Sequence, residues 1–259
     1  MKLHIFYRLS DKGNRKNKPD YINLENCFKN FCSVFGGCDI TVVADNIEES
    51  TYNFLSSHIS KERIHLTKLG NSGSFRYALD NAISNFDDED IIYFVEDDYV
   101  HIPDSNNILL EGFKYADYVS LYDHPDKYTI EPTPNPFVSG GGENTKVFVT
   151  DSVHWKLTNS TCMTFATKVK TLKEDRNIII QNLTGIIPSD FKMFIMLYRD
   201  KKRKLVTPIP GCATHGQNPW LAKLVNWEEV METSLIKHMG VVPACEKMSY
   251  PIMEKFTTL

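Results

Sequence analysis

The chain has no apolar run approaching the roughly 18 to 20 residues that a membrane-spanning helix requires. Its opening residues, Met1 to Ser10, lack the long apolar stretch and small-residue cleavage site of a secretory leader. Both absences predict a cytoplasmic protein. Cysteine is sparse and unpatterned: Cys27, Cys32, Cys38, Cys162, Cys212 and Cys245 form no Cys-x-x-Cys pair and no zinc spacing, so buried reduced thiols are expected instead of a metal site or a disulfide framework. An excess of either charge is also missing. The formal net charge is -4, and the one basic run, Lys201 to Lys204, reads as a solvated turn, so no nucleic-acid partner is expected. Internal repeats and low-complexity tracts are absent.

What is present is an ordinary globular composition. The 259 residues are 42% hydrophobic and 24% charged, enough for one domain with a sizeable core spanning 1–259. Over the first hundred residues short apolar runs alternate with segments of helical period, the pattern of a mostly parallel sheet flanked by helices. Leu3 to Tyr7, Ile40 to Ala44, Ile64 to Leu66 and Asp90 to Val95 read as strands. Between them, Leu24, Cys27, Phe28, Phe31, Val34 and Phe35 recur at helical spacing and stop at Gly36 and Gly37. Further helices are expected near 48–59 and through Phe75, Ala78, Leu79, Ala82 and Ile83. Beyond the fourth strand the pattern predicts a helix over 107–115, a strand over 118–121 and a Pro- and Gly-rich irregular segment from His124 to Glu143. Extended character returns over 147–157. Helices follow over 168–174, 189–198 and 227–238, with loop-like chain over 208–219.

Open α/β sheets bind ligands outside the carboxyl ends of their strands. Glu96, Asp97 and Asp98 stand there, directly after the apolar run Ile91 to Val95. Three adjacent carboxylates at a partly buried strand end repel one another, and a divalent cation relieves that repulsion. Hard oxygen ligands suit Mn2+ or Mg2+, which take one or two protein carboxylates and fill the rest of the shell with phosphate and water. A solvated acidic turn is the plainer alternative. Gly70 and Gly73 open a helix carrying Arg76, an arrangement that could admit a diphosphate or serve only as a turn.

The order of these motifs resembles the family 2 type of inverting glycosyltransferase with the GT-A fold. The resemblance implies a nucleotide-binding half over 1–100, an acceptor and catalytic half over 101–225, and a C-terminal helix and tail over 226–259. Asp45, in Thr41-Val42-Val43-Ala44-Asp45, stands where the family holds the nucleotide base. Asn71-Ser72-Gly73 through Ala78 is similar to the family's Asn-x-Gly-x-x-x-Ala-x-Asn element, with the final Asn one residue late at Asn81. Glu96-Asp97-Asp98 matches its Asp-x-Asp element, with Glu in the first position; Asp98 is the implied metal ligand. Pro188-Ser189-Asp190 through Tyr198-Arg199 resembles the helix that carries the catalytic base, with Ser189 in place of a second acid.

On this resemblance Asp190 is the base, Asp98 and His215 bind the metal, and Tyr7, Arg8, Asp45, Asn71, Gly73, Arg76, Glu96 and Asp97 bind the donor. His154 and Trp155, with the stretch Asn159 to Cys162, are expected to line an acceptor pocket, although Trp155 also suits a core. The implied partners are a UDP-, GDP- or dTDP-linked sugar and a glycan or glycolipid acceptor, the latter allowing peripheral membrane association, in surface polysaccharide synthesis. Two readings of Asp190 stay open, base or helix cap. Two other functions also remain. A metal-dependent nucleotidyltransferase would want a glycine- and lysine-rich loop after the first strand, a flavour present in Ser10 to Lys16. A carbohydrate-binding domain without catalysis would need no metal carboxylate.

Overall fold

A computed structural model describes residues 1–13, 22–123 and 145–214. His215, the segment 124–144 with His124, and the helix expected over 227–238 lie outside the described residues. In chain order the elements are β1 (Leu3–Leu9), α1 (Leu24–Phe35), β2 (Asp39–Asp45), α2 (Glu49–Ser56), β3 (Ile64–Thr67), α3 (Gly70–Asn85), β4 (Ile91–Glu96), β5 (Val100–His101), α4 (Ser105–Glu111) and β6 (Tyr118–Val119). Beyond residue 144 come β7 (Val147–Val149), β8 (His154–Leu157), β9 (Phe165–Lys168), α5 (Val169–Gln181), α6 (Asp190–Lys201), β10 (Leu205–Ile209) and β11 (Ala213–Thr214).

Among the described residues, nine strands form one sheet in the order β3-β2-β1-β4-β9-β6-β10-β8-β7. The first four run parallel, as the sequence pattern predicts. The rest is mixed: β9 is antiparallel to both β4 and β6, β10 is parallel to β6, and β8 is antiparallel to β10 and β7. β1, β2 and β4 are buried on both faces, which is why they read as unbroken apolar runs instead of alternating ones. One core layer joins Ile5, Tyr7, Val42 and Tyr93 to α1, α2 and α4 through Phe28, Phe31, Phe35, Leu55 and Leu109. The other joins Phe6, Val43, Ile92 and Phe94 to α3, α5 and α6 through Phe75, Leu79, Leu172, Phe194 and Leu197. The molecule is a mixed α/β sheet flanked by helices on both faces.

Several elements depart from the sequence pattern, three of them for a plain local reason. β9 falls where the pattern predicts no element: Phe165 and Ala166 fill the core beside β4, and α5 begins at Val169, one residue after the expected start of its helix. α5 also runs past Glu174 to Gln181. Its period is disguised by Asp175, a fully buried acid at a core-facing position, satisfied by the Tyr118 hydroxyl at 2.9 Å and by Arg203 Nε at 2.8 Å. β10 contains Pro208, which reads as a strand breaker. The bond from Thr158 N–H to the Leu205 carbonyl sets the ladder so that Pro208, opposite Trp155, falls on a non-hydrogen-bonded pair. Pairing with β6 has already ended at Val206 and Val119, so the missing N–H costs no ladder bond.

From β1 the chain steps outward to β2 and β3, then returns through α3 to β4 on the other side. The strand order therefore reverses between β1 and β4, and the crevice at their C-terminal ends is the ligand position of such sheets. β5 closes that end from the α1 side, tied down by Asn30, whose amide exchanges hydrogen bonds with the His101 backbone at 2.9 and 2.6 Å.

The His101 ring is buried beside Phe31 and Phe35, 2.9 Å from the Tyr93 hydroxyl, and burial pushes its pKa down to about 3. The unfolded chain takes up that proton below about pH 6.5, while the folded chain stays neutral until far lower. Stability is therefore full above pH 6.5 and is lost as the pH falls toward 3, by up to about 1.4 kcal/mol per unit. His101→Phe keeps the ring and removes the proton site. Melts of the two proteins between pH 6.5 and 4.5 are expected to show a shallower fall in Tm for the variant; equal slopes would show that this ring does not set the acid limit.

Candidate active site at the reversal of strand order

Arg8 and Glu96 are register partners on β1 and β4. The Arg8 guanidinium is 5% exposed, lies over the Phe75 ring at 5.1 Å, and faces Glu96 with Nη1 3.5 Å from Oε1. That separation is longer than the roughly 2.7–2.9 Å of a charge-assisted hydrogen bond. Its Nη2 donates to the Asn71 side-chain oxygen, to the Asn71 carbonyl at 2.9 Å and to Ser74 Oγ at 3.3 Å, fastening the first turn of α3 to β1. Asp97 accepts from the Ser10 N–H at 3.0 Å, which holds the loop after β1 against the end of β4. Asp98 follows, half-buried, in the turn between β4 and β5.

Asp190 reaches the same corner from the first residue of α6. Its Oδ2 accepts from the Thr161 and Cys162 backbone N–H groups at 2.8 and 2.7 Å. The helix-cap alternative is not what is found: the carboxylate binds amides of another segment, and the Ser189 side chain makes no cap bond either. The electrostatics record the crowding. Burial first, then Asp98, Asp97 and Asp190, push the Glu96 carboxyl up to about 8, and Arg8 opposes them without cancelling them. Several acids thus share one buried guanidinium, and the corner favours additional positive charge. Among the described residues, no three His, Cys, Asp or Glu side chains converge to hold a metal by themselves.

Neither a protein-family model nor a curated protein sequence matches the chain. Solved structures do resemble it at low identity. The 2-C-methyl-D-erythritol 4-phosphate cytidylyltransferase of Francisella tularensis aligns at 12% identity with a TM-score of 0.49, over 86% of this chain and 98% of that one. S. aureus TarS (residues 1–349) aligns at 13% identity with a TM-score of 0.45, over 89% of this chain and 63% of that one. The galactosyltransferase LgtC, in complex with donor and acceptor sugar analogues, aligns at 9% identity with a TM-score of 0.42, over 79% and 72%.

The remaining expected site residues divide. Gly70 has φ +73, a conformation that side chains rarely adopt, and a Cβ on Gly73 would come within 2.8 Å of Leu69 Cβ, so both glycines shape the entry to α3. Asp45 is spent within the protein. Burial works to raise its pKa, but bonds from the Leu69 and Gly70 N–H groups, the Thr67 hydroxyl and the Asn46 amide hold it below the usual carboxylate range. In effect Asp45 caps α3 from a distance, since Leu69 at the N-cap position has no side-chain bond to offer. Tyr7 is wholly buried against Phe28 and Phe31, and its hydroxyl pKa is raised by burial, then by Cys27, Asp97 and Asp98.

Arg76, expected at a diphosphate, lies exposed on α3 and pairs with Asp80 at 3.7 Å, while Arg8 is held beside the acids. One expectation needs correction. Trp155, expected in an acceptor pocket, is 0% exposed and donates its indole N–H to Thr150 at 2.9 Å, so it offers no face to a sugar. His154 beside it is half-buried at the start of β8. Sequence reasoning missed the nearly buried ion pair of Lys156 and Asp123, 2.8 Å apart. Its signal was a lysine inside the extended segment 147–157 and an aspartate directly after the strand-like run 118–122.

Arg8→Met removes the buried cation and leaves the Asn71 oxygens and Glu96 without it, so a loss of about 3 kcal/mol in urea melts is expected. Arg76→Ala breaks only an exposed pair and is expected to cost less than about 1 kcal/mol. The opposite ranking would show that Arg8 does not hold this corner together.

Proposed function

We propose that this chain is a metal-assisted inverting glycosyltransferase that moves a sugar from a nucleotide-diphosphate donor to a glycan hydroxyl. The observation that carries the reading is the meeting of Glu96, Asp97 and Asp98 with Asp190 at the crevice where the strand order reverses. Sugar transfer of this kind builds positive character on the anomeric carbon and negative charge on the departing diphosphate. Asp98 would hold Mn2+ or Mg2+, which supplies Lewis-acid neutralisation of the leaving phosphates; His215 is proposed as a second ligand. Glu96 and the first turn of α3, with Asn71, are proposed to face the donor, and Arg8 sets the position of both. On the opposite face of the sugar, Asp190 would accept the proton of the attacking hydroxyl through Oδ1, because Oδ2 is committed to the backbone.

A nucleotidyltransferase would use similar acids. One observation favours keeping it in view: the loop that begins at Ser10 is bound to Asp97 within the corner itself. The products separate the two, since glycosyl transfer releases a nucleoside diphosphate and nucleotidyl transfer releases pyrophosphate.

Asp98→Ala is expected to lose at least about a hundredfold of Mn2+-dependent nucleoside diphosphate release from UDP-, GDP- or dTDP-linked sugars while its melting temperature stays close to wild type. Undiminished release in that variant, with Mn2+ titrated, would refute the metal assignment. Asp190→Asn keeps an oxygen for the two backbone amides but has no basic atom. It is expected to bind donor normally and to lose about 10²- to 10⁴-fold in kcat; weakened donor binding at normal kcat would move Asp190 into the nucleotide site.

A further inference from the structure

The turn that receives Asp190 is built in an unusual way. Cys162 and Met163 both have positive φ, 47° and 58°, a left-handed conformation that is unfavourable for residues other than glycine. The turn closes through the Thr164 N–H on the Thr161 carbonyl at 3.1 Å. Successive amides in such a turn point into a small concavity suited to an anionic oxygen, and that concavity is filled by Asp190 Oδ2. The far end of the same turn contacts the acidic strand: the Glu96 N–H points at Thr164 Oγ1, 3.4 Å away, and the Thr164 carbonyl accepts from Ser120 Oγ at 3.0 Å. Asp190 Oδ1 makes no hydrogen bond among the described residues.

We infer that the turn Thr161–Thr164 is a positioning device that sets the distance and orientation of Asp190 relative to Glu96, with Cys162 and Met163 acting through their left-handed backbone. The inference rests on Asp190 as the base in the proposed reaction. Two N–H groups fix one carboxylate oxygen and so fix where the other one lies, while Thr164 ties the same four residues to the end of β4. Carboxylates separated by more than ninety positions in sequence are thereby spaced by a single short turn, and the local strain is held in place by the packed strand β9 that follows. The chemical identity of residue 162 matters less than its tolerance of positive φ.

That distinction gives the test. Cys162→Val places a β-branched residue where φ is positive and disfavours the turn, whereas Cys162→Gly removes the thiol and accepts the conformation freely. Two readouts are taken on wild type and both variants. Amide 15N–1H spectra follow the Thr161 and Cys162 N–H groups, whose signals are expected to shift in Asp190→Asn if they bind that side chain. Kinetics follow nucleoside diphosphate release from UDP-, GDP- and dTDP-linked sugars with Mn2+. In Cys162→Val the Thr161 signal is expected to lose its tie to Asp190, with kcat down at least about tenfold and donor KM within about twofold; Cys162→Gly is expected to restore both. A valine variant with full kcat overturns the inference, and so does a glycine variant as impaired as valine, which would assign the effect to the thiol. A wild type that releases no nucleoside diphosphate, while its amides still respond to Asp190→Asn, overturns the proposed reaction and leaves the turn a structural clasp.

Discussion

The repulsion among carboxylates at the carboxyl end of β4 is the constraint to which the surrounding structure answers. Glu96 is half-buried beside Asp97 and Asp98; desolvation above all, then Asp98, Asp97 and Asp190, pushes its carboxyl up, and the guanidinium facing it from β1 opposes that rise without cancelling it. Carboxyl groups whose pKa is shifted by burial and by neighbouring charge in a cleft mark a candidate functional site. A purely structural role would be served more cheaply by apolar side chains at the same strand end, since a buried ion cluster often adds little net stability.

Around that corner the chain uses side chains to hold backbone. Asp45 takes the free amides at the start of α3, Arg8 takes the carbonyl and side chain of Asn71, and the turn at Thr161 takes Asp190. Each bond joins elements far apart in sequence, and together they fix α3, α6 and the β4 end relative to one another. Groups held in this way do not have to be ordered when a ligand arrives, which is the advantage of a preorganised site. Left-handed conformation at Cys162 and Met163 is a local cost of that arrangement.

Much of this was legible in the residues. The parallel half of the sheet follows from apolar runs whose burial on both faces removes alternation, and the acids after Val95 announce themselves by their place at a strand end. Asp190 could be singled out by its position before an apolar helical face, but not its partners, because the amides that bind it belong to a turn whose shape depends on backbone angles. The second half of the sheet was harder to read. Pro208 and the buried Asp175 break the expected patterns, and each is accommodated only by three-dimensional circumstances: a non-bonded ladder position for one, Arg203 and Tyr118 for the other. Arg76 drew the diphosphate expectation because it sits on the glycine-opened helix; that Arg8 is the cation buried over Phe75 beside Glu96 depends on packing across strands.

The central claim is that Asp98 holds a divalent cation against a diphosphate at the reversal of strand order. Anomalous diffraction from a crystal soaked with Mn2+ and UDP tests it most directly. The account predicts a manganese peak in direct coordination with the Asp98 carboxylate and with diphosphate oxygens. Well-ordered UDP bound elsewhere, with no manganese at this acidic corner, would contradict it.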